Sequence, residues 1–226
     1  MYVYVDCETM PSTLAADPSR VKPPRNYKDP EKIRHYQEER AIETWRAEAL
    51  SLTEAAVVMV GAAVDDGPIA QAFHLAEPLV MDAFTAWLLD HAPLPEHPNE
   101  PTPVFVAYNG VGFDFPILST RLLRRSLTTA QDNPKLSAAH LAYARALRPT
   151  NGRYGGPGQK DPFVALNFHG SLNEWSRMFG LGHTDVGGGE VFDLIRTQPE
   201  AAKAKNRSDV ECLRQLHKIL RSAGWM

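Results

Sequence analysis

The sequence predicts a single α/β domain over residues 1–226, with a mixed central sheet flanked by helices. Three observations predict it. A strand-like run opens the chain and ends in two acids; two apolar segments flank a tight-turn sequence; amphipathic helical patterns follow a short, buried-looking strand. With 226 residues and 43% hydrophobic content, the chain can bury one sizeable core but not two comfortable ones.

Met1-Tyr2-Val3-Tyr4-Val5 reads as the first strand and runs into Asp6-Cys7-Glu8. Strand side chains alternate with period two, so Asp6 and Glu8 point to one face. A basic insertion at about 11–50 then interrupts the sheet. Between 20 and 34 it carries Arg20, Lys22, Arg25, Lys28, Lys32 and Arg34 against Asp29 and Glu31. Asp29-Pro30-Glu31 has the grammar of a helix start, with an N-cap carboxylate and proline in the first turn, and opens a polar helix to about Ala49. Val57–Val64 and Ile69–Leu75, joined by Asp65-Asp66-Gly67-Pro68, read as a hairpin that completes an antiparallel half-sheet with the first strand.

A helix from about Leu79 to Leu89 crosses over, and the proline-rich stretch Pro93–Pro103 is a connector. Val104–Ala107 supplies a buried strand leading into Asn109-Gly110-Val111-Gly112-Phe113-Asp114. Asp114 falls at a strand-to-helix junction, with Pro116 in the first turn and Leu118 and Leu122 along one face. Ser137–Leu147 reads as helix and the Gly/Pro-rich Thr150–Pro162 as a mobile loop. Ser171-Leu172-Asn173-Glu174 is a capping box, opening a helix with Leu172, Trp175 and Phe179 on its core face and Gly180 at its end. Gly187-Gly188-Gly189 reads as a flexible turn before Val191-Phe192. A last helix carries Val210, Leu213, Leu216 and Leu220 at core spacing.

Two cysteines, one of them between the first two acids, give no support for a disulfide framework and point to a reducing compartment. No targeting segment precedes the first strand, and no apolar run approaches the roughly 18 residues that span a bilayer. The expectation is a cytoplasmic protein with no membrane partner. A net charge of −3 neither favours nor excludes nucleic acid, because a carboxylate-rich site needs only local basic surface. Paired zinc-ligand spacing is absent, and nothing anchors a Ser-His-Asp nucleophile.

Asp6, Glu8, Asp114 and Asp209 remain as the chemistry-bearing set. Singly, Asp6 reads as a strand-end acid, and Asp209 as a cap within Ser208-Asp209-Val210-Glu211. Together they suit a pair of Mg²⁺ or Mn²⁺ ions, which can activate a water and stabilise the leaving oxygen of a phosphodiester. The motifs resemble those of DEDD-type (DnaQ-like) 3′-5′ exonucleases of the RNase H-like superfamily, and within it the proofreading exonuclease domain of family B DNA polymerases. The family's Asp-x-Glu is matched by Asp6 and Glu8, and its Asn-Gly-x-x-Phe-Asp-x-Pro by Asn109 through Asp114 to Pro116. Its helical Tyr-x-x-x-Asp is matched at Asp209, with Lys205 where tyrosine belongs; the histidine subtype would need its base at Ala204.

The resemblance implies an RNase H-like fold and release of nucleoside monophosphates from the 3′ end of DNA or RNA, with single-stranded 3′ ends of DNA as the expected partner. It implies that Asp6, Glu8, Asp114 and Asp209 hold two ions, and that Thr9, Asn109 and Phe113 contact the terminal nucleotide. If the last helix starts before Lys205, Lys205 and Asp209 share a face at i and i+4. Lys205 then reads first as a positioning cation, second as a deprotonated base, and third as a salt-bridge partner without a catalytic part. His183 is a remote alternative base. A catalytically weak nucleic-acid-binding module and a phosphodiesterase acting on a small nucleotide are the competing functions.

The insertion has two readings, a solvated surface helix or an arm on substrate phosphates, the latter drawing on Tyr27, Tyr36 and Trp45. If Lys22, Arg25, Lys28 and Lys32 hold phosphates, replacing all four with Ala weakens binding to a labelled single strand. The slope of log affinity against log salt then falls by roughly 0.7 per lost contact. An unchanged affinity and slope identify a solvated surface.

Overall fold

In the computed structural model, which describes residues 1–11, 15–97, 100–148, 158–165, 170–182 and 188–225, the chain divides into two compact units. One is Met1–Glu8 with Val57–Met226, the other Thr9–Ala56. The smaller unit covers the basic insertion and is organised by helix α1 (Pro30–Glu48). Asp29 caps this helix by accepting the N–H of Glu31 at 2.9 Å, with Pro30 in the first turn. Ala41 and Trp45 are its buried apolar positions, while Lys22, Arg25, Lys28 and Lys32 are exposed.

The sheet contains β1 (Tyr2–Pro11), β2 (Ala55–Val64), β3 (Ala70–Phe73), β4 (Val104–Val106) and β5 (Gln159–Lys160), in the order β3-β2-β1-β4-β5. β2 and β3 form the expected antiparallel hairpin, in register from Met59↔Phe73 to Ala62↔Ala70. Asp65, at the turn, donates its N–H to the Tyr2 carbonyl at 2.9 Å and accepts the Tyr2 N–H at 2.8 Å, which sets the end of β2 beside the start of β1. β4 runs parallel to β1, with Tyr4↔Val106 as the last matched pair, and β5 runs parallel to β4. The sheet is therefore mixed.

The helices of the larger unit are α2 (Glu77–His91), α3 (Asp114–Thr129), α4 (Pro134–Ala146), α5 (Pro162–Ala165), α6 (Leu172–Phe179), α7 (Gly188–Thr197) and α8 (Pro199–Ser222). α3 buries Leu118 and Leu122 completely, and α8 buries Val210, Leu213, Leu216 and Leu220. Ser171 and Glu174 form the expected reciprocal capping box, and Gly180 ends α6 in the left-handed region at φ +64°.

Four expectations are corrected. The end of the expected Thr150–Pro162 loop is ordered: Gln159 and Lys160 pair with Phe105 and Val106, and Pro162 opens α5. Residues 150–157 lie outside the described residues. Phe179 is exposed and stacks on the outer side of buried Trp175, with ring centroids 5.9 Å apart. Gly188 and Gly189 are not turn but the first residues of α7, whose Val191, Phe192 and Ile195 are buried. Asp209 is no N-cap, since α8 begins ten residues earlier, at Pro199.

His217 of α8 is fully buried against β1. Its Nδ1 shares a hydrogen bond with the Tyr4 hydroxyl at 3.0 Å, and its ring meets those of Tyr2 and Tyr4 edge-on. Burial, reinforced by the positive charges of Arg221 and Lys160, pushes its pKa down to about 4. The folded state thus binds fewer protons than the unfolded chain between pH 4 and 6.5. Stability from this residue is complete above about 6.5 and lost as pH falls toward 4, by about 2–3 kcal/mol. Urea midpoints should accordingly fall more steeply from pH 7 to pH 4.5 in the parent than in His217→Gln, and parallel curves would contradict the assignment.

Candidate metal centre

The face of β1 that carries Tyr2 and Tyr4 continues, two residues at a time, to Asp6 and Glu8. α8 lies along that face. Tyr4 packs with Val210 and Leu213, Asp6 meets Asn206, and Glu8 meets Lys205, so partner numbers fall along α8 as they rise along β1. The close approach depends on Gly61 in β2. A Cβ there would lie 2.2 Å from Asn206 Oδ1 and 3.0 Å from Val210 Cγ2, so a side chain would displace the Asn206 amide or push against α8.

This packing brings carboxylate oxygens of Asp6, Glu8 and Asp209 within 4.8 Å of one another. Glu8 and Asp209 are buried and Asp6 is partly so. Burial, then the charges of Glu8 and Asp209, raise Asp6 well above the usual carboxylate range, with Lys205 pulling the other way. Burial also raises Glu8 against the opposing pull of Lys205. An all-oxygen, negatively charged set of this kind fits a hard divalent cation such as Mg²⁺ or Mn²⁺.

Lys205 and Asp209 share one face of α8 at i and i+4. The Lys205 ammonium lies 2.5 Å from Asp209 Oδ2 and donates to Glu8 Oε1 at 2.8 Å. Burial disfavours its charge, but Glu8, Asp6 and Asp209 outweigh burial and hold it above the ordinary lysine range. Lys205 is thus a cation, which argues against its reading as a deprotonated base. Asn206, fully buried, donates Nδ2 to Asp6 Oδ2 at 2.7 Å, while its Oδ1 accepts from Gln71 Nε2 at 2.9 Å. Sequence reasoning passed over Asn206 and Gln71. The signal for Asn206 was adjacency to Lys205, but adjacency alone does not assign a partner on another strand.

Asp114 is the first residue of α3 and is buried. Its Oδ1 does not join the triad but accepts the N–H of Cys7 at 3.0 Å, the backbone group between Asp6 and Glu8. β4 stops pairing at Val106, so Asp114, after the intervening loop, takes an N–H of β1 beyond the last matched pair. Burial raises this carboxyl, opposed by the Cys7 bond.

That loop is held by Asp161, which is 2% exposed and falls in the Gly/Pro-rich stretch whose composition predicts a loop. Asp161 Oδ1 accepts the N–H groups of Asn109 and Phe163, and Oδ2 accepts that of Val111, each at 3.0 Å. Asn109 adopts φ +56°, a left-handed conformation that asparagine tolerates better than most residues. Its side chain lies where a Cβ on Gly112 would be, 2.6 Å from Oδ1, which accounts for that glycine. Asn109 is exposed and Phe113 half-buried, so Phe113 is not simple core.

Thr9, Lys22, Arg25, Lys28 and Lys32 belong to the smaller unit. There the Thr9 hydroxyl donates to the Ala49 carbonyl. His183 lies outside the described residues.

No protein-family model matches the chain, and no curated protein matches it. Among solved structures, the fold is similar to that of the family B DNA polymerase from the hyperthermophilic archaeon Pyrobaculum calidifontis. The match has a TM-score of 0.51 at 16% identity, covering 98% of this chain. This chain spans 24% of that polymerase, so the likeness is to one segment of a longer protein and is a likeness of fold.

Asp161→Ala removes three backbone bonds to one buried carboxylate and should cost about 2–4 kcal/mol of stability in urea unfolding. Asp161→Asn, which keeps acceptors but presents an amide N–H₂ to a donor, should fall between the two. Loss below about 0.5 kcal/mol in the alanine variant would show that the 109–113 loop holds its shape without Asp161.

Proposed function

We propose that this chain is a metal-dependent 3′-5′ exonuclease of RNase H-like, DnaQ-like fold, hydrolysing terminal phosphodiester bonds of DNA, with RNA as a possible second substrate. The observation that carries the reading is the meeting of Asp6, Glu8 and Asp209 within 4.8 Å, with Asp114 bonded to the backbone between the first two. Although the sequence suggests a strand end at Asp6, β1 runs on to Pro11, and random acids in a strand interior, at a helix start and in a helix interior have no reason to converge. The similarity of fold to part of a DNA polymerase supports nucleic acid as the substrate class.

In this reading Asp6, Glu8, Asp209 and Asp114 would hold the two divalent ions, the first three forming the cluster within 4.8 Å. When bound, such ions supply an activated water and charge stabilisation for the leaving oxygen. The chain's own residues do the rest. Asn109, held through its backbone by Asp161, and half-buried Phe113 would contact the terminal nucleotide, as the resemblance implies. Lys205 contributes a positive charge for the scissile phosphate. Asn206 orients the Asp6 carboxylate without adding charge.

A single experiment tests the reading: hydrolysis of a 5′-labelled single strand with Mn²⁺, alongside the same strand closed into a circle. Expected are a labelled ladder that shortens one nucleotide at a time with release of unlabelled mononucleotides, a resistant circle, no activity in excess chelator, and a loss of at least about 10³-fold in folded Asp6→Ala and Asp114→Ala. Cleavage of the circle would identify an endonuclease. Binding without turnover under all conditions would favour the nucleic-acid-binding module, a reading to which the neutralisation of Glu8 and Asp209 by Lys205 lends support.

A further inference from the structure

The carboxylates that would hold a metal already hold a cation. Lys205 Nζ lies 2.8 Å from Glu8 Oε1 and 2.5 Å from Asp209 Oδ2, and all three groups are buried. A divalent Mg²⁺ or Mn²⁺ needs carboxylate oxygens at about 2.1 Å, so it requires the same carboxylates at still closer range. Two cations packed into one buried carboxylate cage repel strongly, because little water screens them. Asp6, by contrast, is held by the neutral amide of Asn206, which offers a metal no competition.

We infer that Lys205 is a tethered place-holder for a divalent ion, so that its ion pairs with Glu8 and Asp209 and the loading of metal on those residues exclude each other. The inference rests on the metal-site reading above and adds a property of this chain to it. Before loading, Lys205 places one positive charge between two buried carboxylates that would otherwise repel each other and Asp6 more strongly. On loading, its four-carbon stem swings the ammonium away, since lysine is a compact charge on a flexible chain with no fixed fork geometry. The released ammonium is then available to the phosphate that arrives with substrate. Lys205 in this scheme lowers metal affinity in exchange for a folded, neutralised site in the absence of metal.

Calorimetric titration with Mn²⁺ tests this on the parent, Lys205→Met and, as a control for net charge, Lys203→Met, whose lysine on the same helix pairs with Glu200 outside the cage. Expected is a tightening of at least about tenfold for Lys205→Met and less than about twofold for Lys203→Met. In chelator Lys205→Met should melt below the parent, and saturating Mn²⁺ should raise its melting temperature more than the parent's. Equal affinity in the parent and Lys205→Met, or equal tightening in both variants, overturns the inference and leaves the metal site standing. Absence of Mn²⁺ binding in all three overturns both.

The parent provides a second readout if Lys205→Met does not fold. With ¹⁵N-lysine labelling, a buried and hydrogen-bonded ammonium gives a signal protected from solvent exchange, and Mg²⁺ should abolish that protection for Lys205. A Lys205 signal unchanged at saturating Mg²⁺ overturns the inference. No Mg²⁺ binding at all would remove the metal reading with it.

Discussion

Three carboxylates with oxygens within 4.8 Å of one another repel when water is withdrawn, and the surroundings of Asp6, Glu8 and Asp209 reduce that cost. Lys205 supplies a full positive charge to two of them and Asn206 a neutral donor to the third. Both come from consecutive residues of α8, so one helix delivers the acid Asp209 and the groups that make its burial tolerable. A buried charge cluster of this kind adds little net stability but is costly to break, which ties the position of α8 to the acids of β1.

The same helix serves the core. Val210 and Leu213 pack with Tyr4 and Val106, and Leu216 and Leu220 pack with Trp175 of α6. Gly61 sets how closely this can happen, because any side chain there would meet Asn206 and Val210 before the helix reached the sheet. The apolar seam and the charged site are successive stretches of a single contact between α8 and β1, so a change that lifts the helix disturbs both.

Asp161 has a comparable part on the other side of the site. β4 is short, and the chain beyond it must turn sharply to bring Asp114 to the Cys7 N–H. A carboxylate that accepts three backbone N–H groups substitutes for the sheet bonds this loop lacks, and it gives Asn109 a fixed left-handed geometry. Bonds from the Asn109 and Val111 N–H groups to this buried acid, with the loop's own turn bonds from Gly112 and Phe113 to the Asn109 carbonyl, shape this region without regular secondary structure.

Much of the architecture was legible in the sequence because its signals are local. The Asp65–Pro68 turn, the Ser171–Glu174 capping box, the Asp29 cap, and the core spacing of α8 each depend on residues a few positions apart. The face shared by Asp6 and Glu8 follows from strand alternation alone, and the i, i+4 pairing of Lys205 with Asp209 follows from helix geometry once α8 starts before Lys205, as it does at Pro199. Tertiary structure decided the rest. β5 is two residues long and carries too little pattern to stand out from a Gly/Pro-rich stretch, and it exists because the edge of β4 offers it partners. Asn206 and Gln71 have no local signature, since they bond each other across 135 residues and Asn206 bonds Asp6 across 200, and Asp161 has only the Phe163 N–H nearby while its bonds to Asn109 and Val111 reach back 50 or more residues. Whether Lys205 would face solvent, substrate or the acids was likewise open in the sequence, and it was decided by where β1 carries Glu8.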